Sequence, residues 1–104
     1  AVFMPYVLVV NRDAIEARIA RLSAYCGLAP NFDGFLHAIN ALRAKLGVPN
    51  TLREFKVDGE KRELIGDMAI VDPTAGGNPI PLDKAGALEI FENAIQGDVK
   101  SKID

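Results

Sequence analysis

Apolar side chains recur at helical spacing in four stretches of the chain. Ile15, Ile19 and Leu22 lie on one face of a helix, and Cys26 ends that stripe. The later stripes are Phe35, Ile39, Leu42 and Leu46; then Leu64, Ile65, Met68 and Val71; then Leu88, Phe91 and Ile95. This spacing predicts helices over about 12–26, 32–46, 59–71 and 84–96, with ends uncertain by a few residues.

Polar and turn-forming residues bound each stripe. Candidate N-caps are Asn11, Asn31, Asp58 and Asp83, and candidate stops are Gly27, Pro30, Gly47, Pro49, Pro73 and Gly97. Thr51 and Glu54 have capping-box spacing, which predicts a further short helix. Most connections are therefore short, and residues 72–82 form the longest one.

The apolar run before Asn11 is ambiguous. Its β-branched and bulky residues favour a buried strand, but residues 12–104 show no alternating pattern that would supply a partner strand. A short helix that is apolar all round and buried in a larger body is the other possibility.

These patterns predict an all-α fold. We expect an antiparallel bundle of about five to six helices over residues 1–97, part of a larger helical domain, followed by a polar tail at 98–104. The chain begins at Ala1 inside an apolar run and has no initiator Met, so we expect it to be part of a longer polypeptide.

Composition narrows the function classes. The chain has 104 residues, of which 49% are hydrophobic and 25% charged, typical of a globular domain. The net charge of −2 argues against nucleic acid as a partner, and Pro5 and Tyr6 interrupt an apolar run that is already too short to span a membrane. A single cysteine cannot form an internal disulfide, which favours a reducing, cytoplasmic compartment.

Residues 72–82 are the most informative stretch for function. They contain Gly76 and Gly77 and three prolines, so the path is stiff and shaped, with positive φ open to the glycines. The loop could be a rigid connector between two helices or the lining of a ligand site. It is not a phosphate-binding P-loop, because Asn78 and Pro79 stand where Lys and Ser/Thr are required. We expect Gly76→Val to harm folding, because a β-branched residue at positive φ is strained.

Candidate chemical groups are few elsewhere. His37 is the single histidine and lies off the apolar face of its helix, so we expect it on the surface. Cys26 ends an apolar stripe, so we expect a small buried side chain with an inert thiol. No pair of carboxylates stands out as a catalytic dyad.

Three stretches resemble the C-terminal end of the iron-containing (group III) alcohol dehydrogenases. Residues 1–11 (AVFMPYVLVVN) resemble the family's L-P-x-V-x-x-x-N segment. Residues 46–49 (LGVP) with 52–54 (LRE) resemble its L-G-(I/V)-P and L-R-E stretch, and residues 72–79 (DPTAGGNP) resemble its D-P-x-x-G-G-N-P loop. The resemblance runs to about Ala94.

The resemblance implies that the essential chemistry lies upstream of Ala1. In the family, one Asp and three His hold a divalent metal, usually iron, and a separate N-terminal domain binds the nucleotide. None of those positions matches this chain, so we expect no catalytic, cofactor-binding or metal-binding residue in it. The resemblance also favours a proline-containing helix for the N-terminal run.

The family's loop passes near the metal and the substrate cleft. Carried over, this implies that Thr74 and its neighbours line the edge of the cleft as wall residues. The implied lining is Thr74, Gly76, Gly77, Asn78 and Pro79.

The resemblance therefore implies the terminal helical part of an alcohol dehydrogenase. The whole enzyme would interconvert a small alcohol and an aldehyde, using NAD or NADP and a divalent metal. Its partners would be the upstream part of the polypeptide and, for the isolated chain, further copies that associate through Val2, Phe3, Val7 and Val10. A free-standing helical interaction module and a metal-free reductase of the maleylacetate reductase type are the alternatives.

Overall fold

The computed structural model of this chain describes residues 1–97 and is all-α, which confirms the predicted fold class. Five α-helices lie in that range, and none of its residues is in a β-strand. They are α1 (Met4–Val10), α2 (Arg12–Tyr25), α3 (Phe32–Lys45), α4 (Arg62–Val71) and α5 (Lys84–Gln96), with 3₁₀ turns at Leu52–Phe55 and Ala75–Gly77. The predicted polar tail at 98–104 lies outside the described residues and stays a prediction.

Most of the predicted helix boundaries are confirmed. Asn31 and Asp83 cap α3 and α5, each accepting a hydrogen bond from the backbone N–H three residues later. Thr51 and Glu54 form the expected capping box at the first 3₁₀ turn. The chain leaves α2, α3 and α5 through three glycines with positive φ, Gly27, Gly47 and Gly97.

One predicted N-cap, Asp58, is wrong, and another, Asn11, lies at the N-cap position of α2 without a capping bond. The Asp58 side chain accepts a hydrogen bond from the Glu60 N–H in a local turn, so α4 begins only at Arg62. The backbone of Asn11 joins α1 to α2, but its side chain makes no capping bond. The residue is 3% exposed, and its amide is committed to a distant partner, Asn78.

Helix α1 lies at the centre of the packing. The proline in its first turn lacks an N–H that the helix would leave unpaired there, so a helix forms despite the β-branched residues. Tyr6 packs with Leu52, Phe91, Ala94 and Ile95, whereas Val9 packs with Phe32 and Leu36. One short helix therefore joins two hydrophobic clusters, one on α5 and one on α3. This confirms the helical alternative for the N-terminal run.

The predicted stripes of α2 and α3 are only partly buried. Ile15 and Ile19 are half-buried, but Leu22 is exposed, and so is Cys26 at the end of the helix, which corrects its expected burial. In α3, the buried residues are Phe32, Leu36 and Arg43, while Leu42 and Leu46 are exposed. The stripe is rotated because α3 packs against α1 as well as α2.

Helix α4 shows the largest difference from the expected stripe. Leu64, Met68 and Val71 are exposed, whereas Ile65 is half-buried against the Tyr6 cluster. Gly66 faces α5: a Cβ at this position would lie 3.1 Å from a Leu88 methyl carbon. A small residue thus lets the two helices approach closely, and the bulkier apolar residues of α4 are left on the other side.

Arg43 is a buried cation on α3. Its guanidinium donates hydrogen bonds to the backbone carbonyls of Ala1 and Val2 and to the side chain of Asn40. These bonds offset the cost of burial and fix the chain entering α1. Periodicity alone could not have found this contact, because arginine is expected on a polar face.

Candidate functional site

The loop at 72–82 starts with a hydrogen-bonded turn. Asp72 has an extended backbone, and one of its carboxylate oxygens accepts two hydrogen bonds from Thr74. The Thr74 N–H donates over 2.8 Å and its hydroxyl over 2.5 Å. These bonds favour the charged carboxylate, so they hold the pKa of Asp72 below its usual value, with the hydroxyl bond as the larger cause. The Thr74 hydroxyl is therefore engaged with the loop itself.

The glycines of the loop are not in the left-handed conformation. Gly76 and Gly77 belong to the 3₁₀ turn Ala75–Gly77, and neither has a positive φ. A Cβ on either residue would meet no other atom within 4 Å. The expectation that Gly76 needs glycine for positive φ is therefore wrong, and these two residues leave open space beside the backbone.

Asn78 ties the loop to the other end of the chain. Its amide and that of Asn11 each donate to the other's oxygen, with Nδ2 to Oδ1 distances of 2.8 and 2.9 Å. The Asn78 amide also donates to the backbone carbonyl of Ile80 over 2.6 Å. Asn11 and Asn78 are 67 residues apart in the sequence, so this pair is a tertiary contact between the loop and the junction of α1 and α2.

An open groove of about 400 Å³ runs along the loop. Its lining residues are Ile70, Ala75, Gly76, Asn78, Pro79, Pro81 and Leu82. Three of the five predicted wall residues therefore line this groove, while Thr74 is exposed beside Asp72. The sole polar side chain in the lining is Asn78, and its amide is already bonded within the protein. The side chains that line the groove are therefore mainly apolar, while the backbone contributes polar surface.

Sequence reasoning missed two parts of this site. Ile70, Pro81 and Leu82 line the groove but lie outside the glycine-rich motif at 72–79, so the motif does not indicate them. The sequence predicts a capping role for Asn11, because an asparagine directly before an apolar helical stripe is typical of an N-cap. No proline lies between the first turn of α1 and the end of α2, so one helix can follow the other directly. This arrangement buries Asn11 between them.

The described residues do not fit a metal ion. Among residues 1–97, no group of three or more His, Cys, Asp and Glu side chains lies together. His37 is exposed on α3, as expected, and Cys26 is exposed at the end of α2. A divalent metal needs about four or more ligands from such groups or from water. No chemical step is therefore assigned to a metal held by this part of the chain.

Comparison with known proteins gives the family. The profile described as "Fe-containing alcohol dehydrogenase family, C-terminal" matches residues 1–95. The chain belongs to this family. The match includes α1, the loop and all but the last residues of the helical body, and it confirms the resemblance found in the sequence motifs.

Two curated relatives are alcohol dehydrogenases. The chain is 30% identical to an NADPH-dependent butanol dehydrogenase of Clostridium saccharobutylicum, over 93% of this chain and 27% of that protein. It is also 30% identical to a 1,3-propanediol dehydrogenase of Citrobacter freundii, over 90% of this chain and 26% of that protein. The chain thus spans about a quarter of the length of these relatives. No solved structure matches the chain.

Within the described residues 1–97, no helix is long and apolar enough to cross a bilayer.

Proposed function

We propose that this chain is the C-terminal helical part of a longer NAD(P)-dependent and metal-dependent alcohol dehydrogenase of the cytoplasm. The observation that carries the proposal is the family match over residues 1–95, in a chain that spans about a quarter of its curated relatives. The whole protein interconverts an alcohol and an aldehyde. The names of the two relatives favour a short alcohol and a nicotinamide cofactor.

Within such an enzyme, this chain supplies scaffold and cleft wall. In the whole enzyme, a divalent metal held by other residues would polarise the substrate oxygen, and the nicotinamide would supply or accept the hydride. Among residues 1–97 no three His, Cys, Asp or Glu side chains lie together, which supports metal ligands from another part of the polypeptide. The loop at 72–82 contributes apolar side chains that contact the hydrocarbon part of the alcohol and exclude water.

The wall role explains why the loop is rigid but carries no reactive group. Its polar side chains bond within the protein, since Thr74 bonds to Asp72 and Asn78 bonds to Asn11. Its free surface is formed by glycine backbone, proline rings and aliphatic side chains. Such a surface selects by shape and contact area, and it takes no part in proton or hydride transfer.

The wall role is tested in the full-length polypeptide with Thr74→Phe. We expect the enlarged side chain to change the ranking of kcat/KM across alcohols of increasing length, by about 1–3 kcal/mol per methylene-sized difference. Metal content should not change, because Thr74 is not a ligand. Thr74→Val is the control, because it keeps the size and removes only the hydroxyl bond to Asp72.

If Thr74→Phe leaves both the ranking and the rates unchanged, the edge of the loop at Thr74 does not contact the substrate. The sequence encoded upstream of Ala1 provides a second test of the whole proposal. We expect a G-G-G-S phosphate loop, a D-x-x-x-H segment and an H-G-x-x-N segment. A start codon directly before Ala1 would instead favour the free-standing helical interaction module.

A further inference from the structure

We propose that Asn11 is a positioning residue for the loop at 72–82. In this proposal, the reciprocal amide pair with Asn78 fixes where the loop lies relative to α1 and α2, and hence the shape of the groove. The position of the loop is a claim about the fold of this chain. Its consequence for alcohol selection rests on the proposed function.

The Asn11–Asn78 pair has a defined geometry. Two side-chain amides that face each other, each donating to the other's oxygen at 2.8 and 2.9 Å, constrain both distance and orientation. Asn78 is held from a third side by its bond to the Ile80 carbonyl. The Asn78 side chain therefore has a single orientation in which all its bonds are made, and Asn78 is itself part of the groove lining.

No side-chain capping bond explains the asparagine at position 11. Asn11 begins α2 without making a capping bond, and its backbone N–H bonds to Val7 as an ordinary helical residue would. The residue is almost fully buried, and its side-chain amide is paired with that of Asn78. A buried amide is costly unless it is paired, so the residue type is explained by the loop contact.

The amide pair is anchored at the junction of α1 and α2. Asn11 follows α1, which carries Tyr6 in one hydrophobic cluster and Val9 in the other. This junction is therefore among the best-packed points of the described chain. The loop itself is mostly exposed, and its ends rest on α4 and α5. The amide pair connects an exposed loop to a buried anchor.

The test replaces Asn11 by Asp in the 104-residue chain and varies pH. A protonated carboxyl group has one O–H donor and one free oxygen, so it can reproduce the pair with Asn78. A carboxylate has no donor and repels the Asn78 oxygen. Burial raises the pKa of the introduced carboxyl group, so the pair forms below that raised pKa and is lost as pH rises through it.

The readout is the NMR order parameter of the Gly76 and Gly77 backbone amides. In the unsubstituted chain we expect values near the rigid limit of about 0.85 at both pH 4 and pH 7.5. With Asn11→Asp we expect rigid values at pH 4 and a fall toward about 0.6 at pH 7.5. Asn11→Ala should lower the order parameters at both pH values. Asn93→Asp, which makes the same change of charge on α5, should leave them unchanged.

A second variant covers the case in which Asn11→Asp fails to fold at pH 7.5. Asn78→Asp changes the less buried partner, and a protonated carboxyl group there can still donate to Asn11. We expect the same pH-dependent loosening of Gly76 and Gly77. Order parameters that stay rigid in Asn11→Ala, or that do not respond to pH in either Asp variant, would overturn the positioning role.

The same variants in the full-length polypeptide separate this inference from the proposed function. If Asn11→Ala loosens the loop and changes the ranking of alcohols by about tenfold or more, both hold. If the loop loosens while the ranking stays the same, the amide pair positions the loop but the loop is not a cleft wall. If the loop stays rigid, the positioning role is wrong whatever the activity.

Discussion

The hydroxyl of Tyr6 donates a hydrogen bond of 2.8 Å to the backbone carbonyl of Asn50, 44 residues further along the chain. Tyr6 is 2% exposed and lies in the cluster formed with Leu52 and α5. This bond joins α1 to the turn that precedes the first 3₁₀ turn. The helix that connects the two hydrophobic clusters thus also holds the connection between α3 and α4.

Tyr6→Phe should lower the free energy of unfolding by about 1 kcal/mol. The ring stays packed, and the hydroxyl bond to Asn50 is lost. Tyr25→Phe is the matched control, since Tyr25 is 91% exposed and should change stability by less than about 0.5 kcal/mol. Urea unfolding followed by circular dichroism measures both. Equal effects of the two substitutions would mean that the bond to Asn50 contributes nothing to stability.

Gly97→Val should destabilise the chain, and Gly76→Val should not. Gly97 has a φ of +81°, and a Cβ there would lie 2.9 Å from the Thr51 methyl carbon. We expect a loss of about 2 kcal/mol or more from the left-handed backbone and the clash. Gly76 has neither constraint. A larger loss for Gly76→Val in thermal unfolding would restore the sequence-based expectation that the structure contradicts.

The limits of sequence reasoning follow from these residues. Periodicity and capping residues predicted the helices, because Asn31, Asp83 and the terminal glycines make their contacts with residues close in the sequence. Burial was less predictable. The stripe on α4 suggested an inward face, but the contact with α5 is made through Gly66, so the apolar residues Leu64 and Met68 are exposed.

Part of the candidate site could be predicted from the sequence, and part could not. The motif predicted the loop, and three of the five predicted wall residues line the groove. The Asn11–Asn78 pair could not be predicted, because a side chain that is suited to capping gives no sign that its partner lies 67 residues away. Whether the groove is part of a substrate cleft stays a prediction.

Removing the Thr74 hydroxyl should raise the pKa of Asp72 toward its ordinary value. Two bonds from Thr74 lower this pKa, and Thr74→Val removes the larger cause while the backbone N–H bond stays. The lowered pKa stabilises the fold above the unfolded-state value of about 3.9, and that contribution is lost as pH falls through the lower folded-state pKa. An NMR titration of the Asp72 carboxyl carbon tests this, and an unchanged midpoint would contradict it.

The isolated 104-residue chain should self-associate. Leu64, Met68 and Val71 are 55%, 61% and 77% exposed along one side of α4, and Phe3 on the N-terminal side is 41% exposed. Exposed apolar surface of this kind promotes association. Sedimentation at several concentrations should show species larger than the monomer.

Two double variants distinguish the surfaces. Phe3→Ser with Val7→Ser tests the N-terminal helix that the sequence suggests, and Leu64→Ser with Met68→Ser tests the α4 side that the structure exposes. We expect the second pair to shift the chain further toward monomer. A chain that is strictly monomeric at high concentration would contradict the prediction for both surfaces.

The central claim is that this chain contributes structure to a dehydrogenase and performs no chemistry alone. Its most direct test is the initial rate of alcohol-dependent NAD or NADP reduction, with 1-butanol and 1,3-propanediol as probes and Fe²⁺ or Zn²⁺ added. The rate is measured side by side for the 104-residue chain and for the full-length polypeptide. We predict turnover by the full-length protein and a rate equal to the blank for the isolated chain. Turnover by the isolated chain, or none by the full-length protein, would contradict the account.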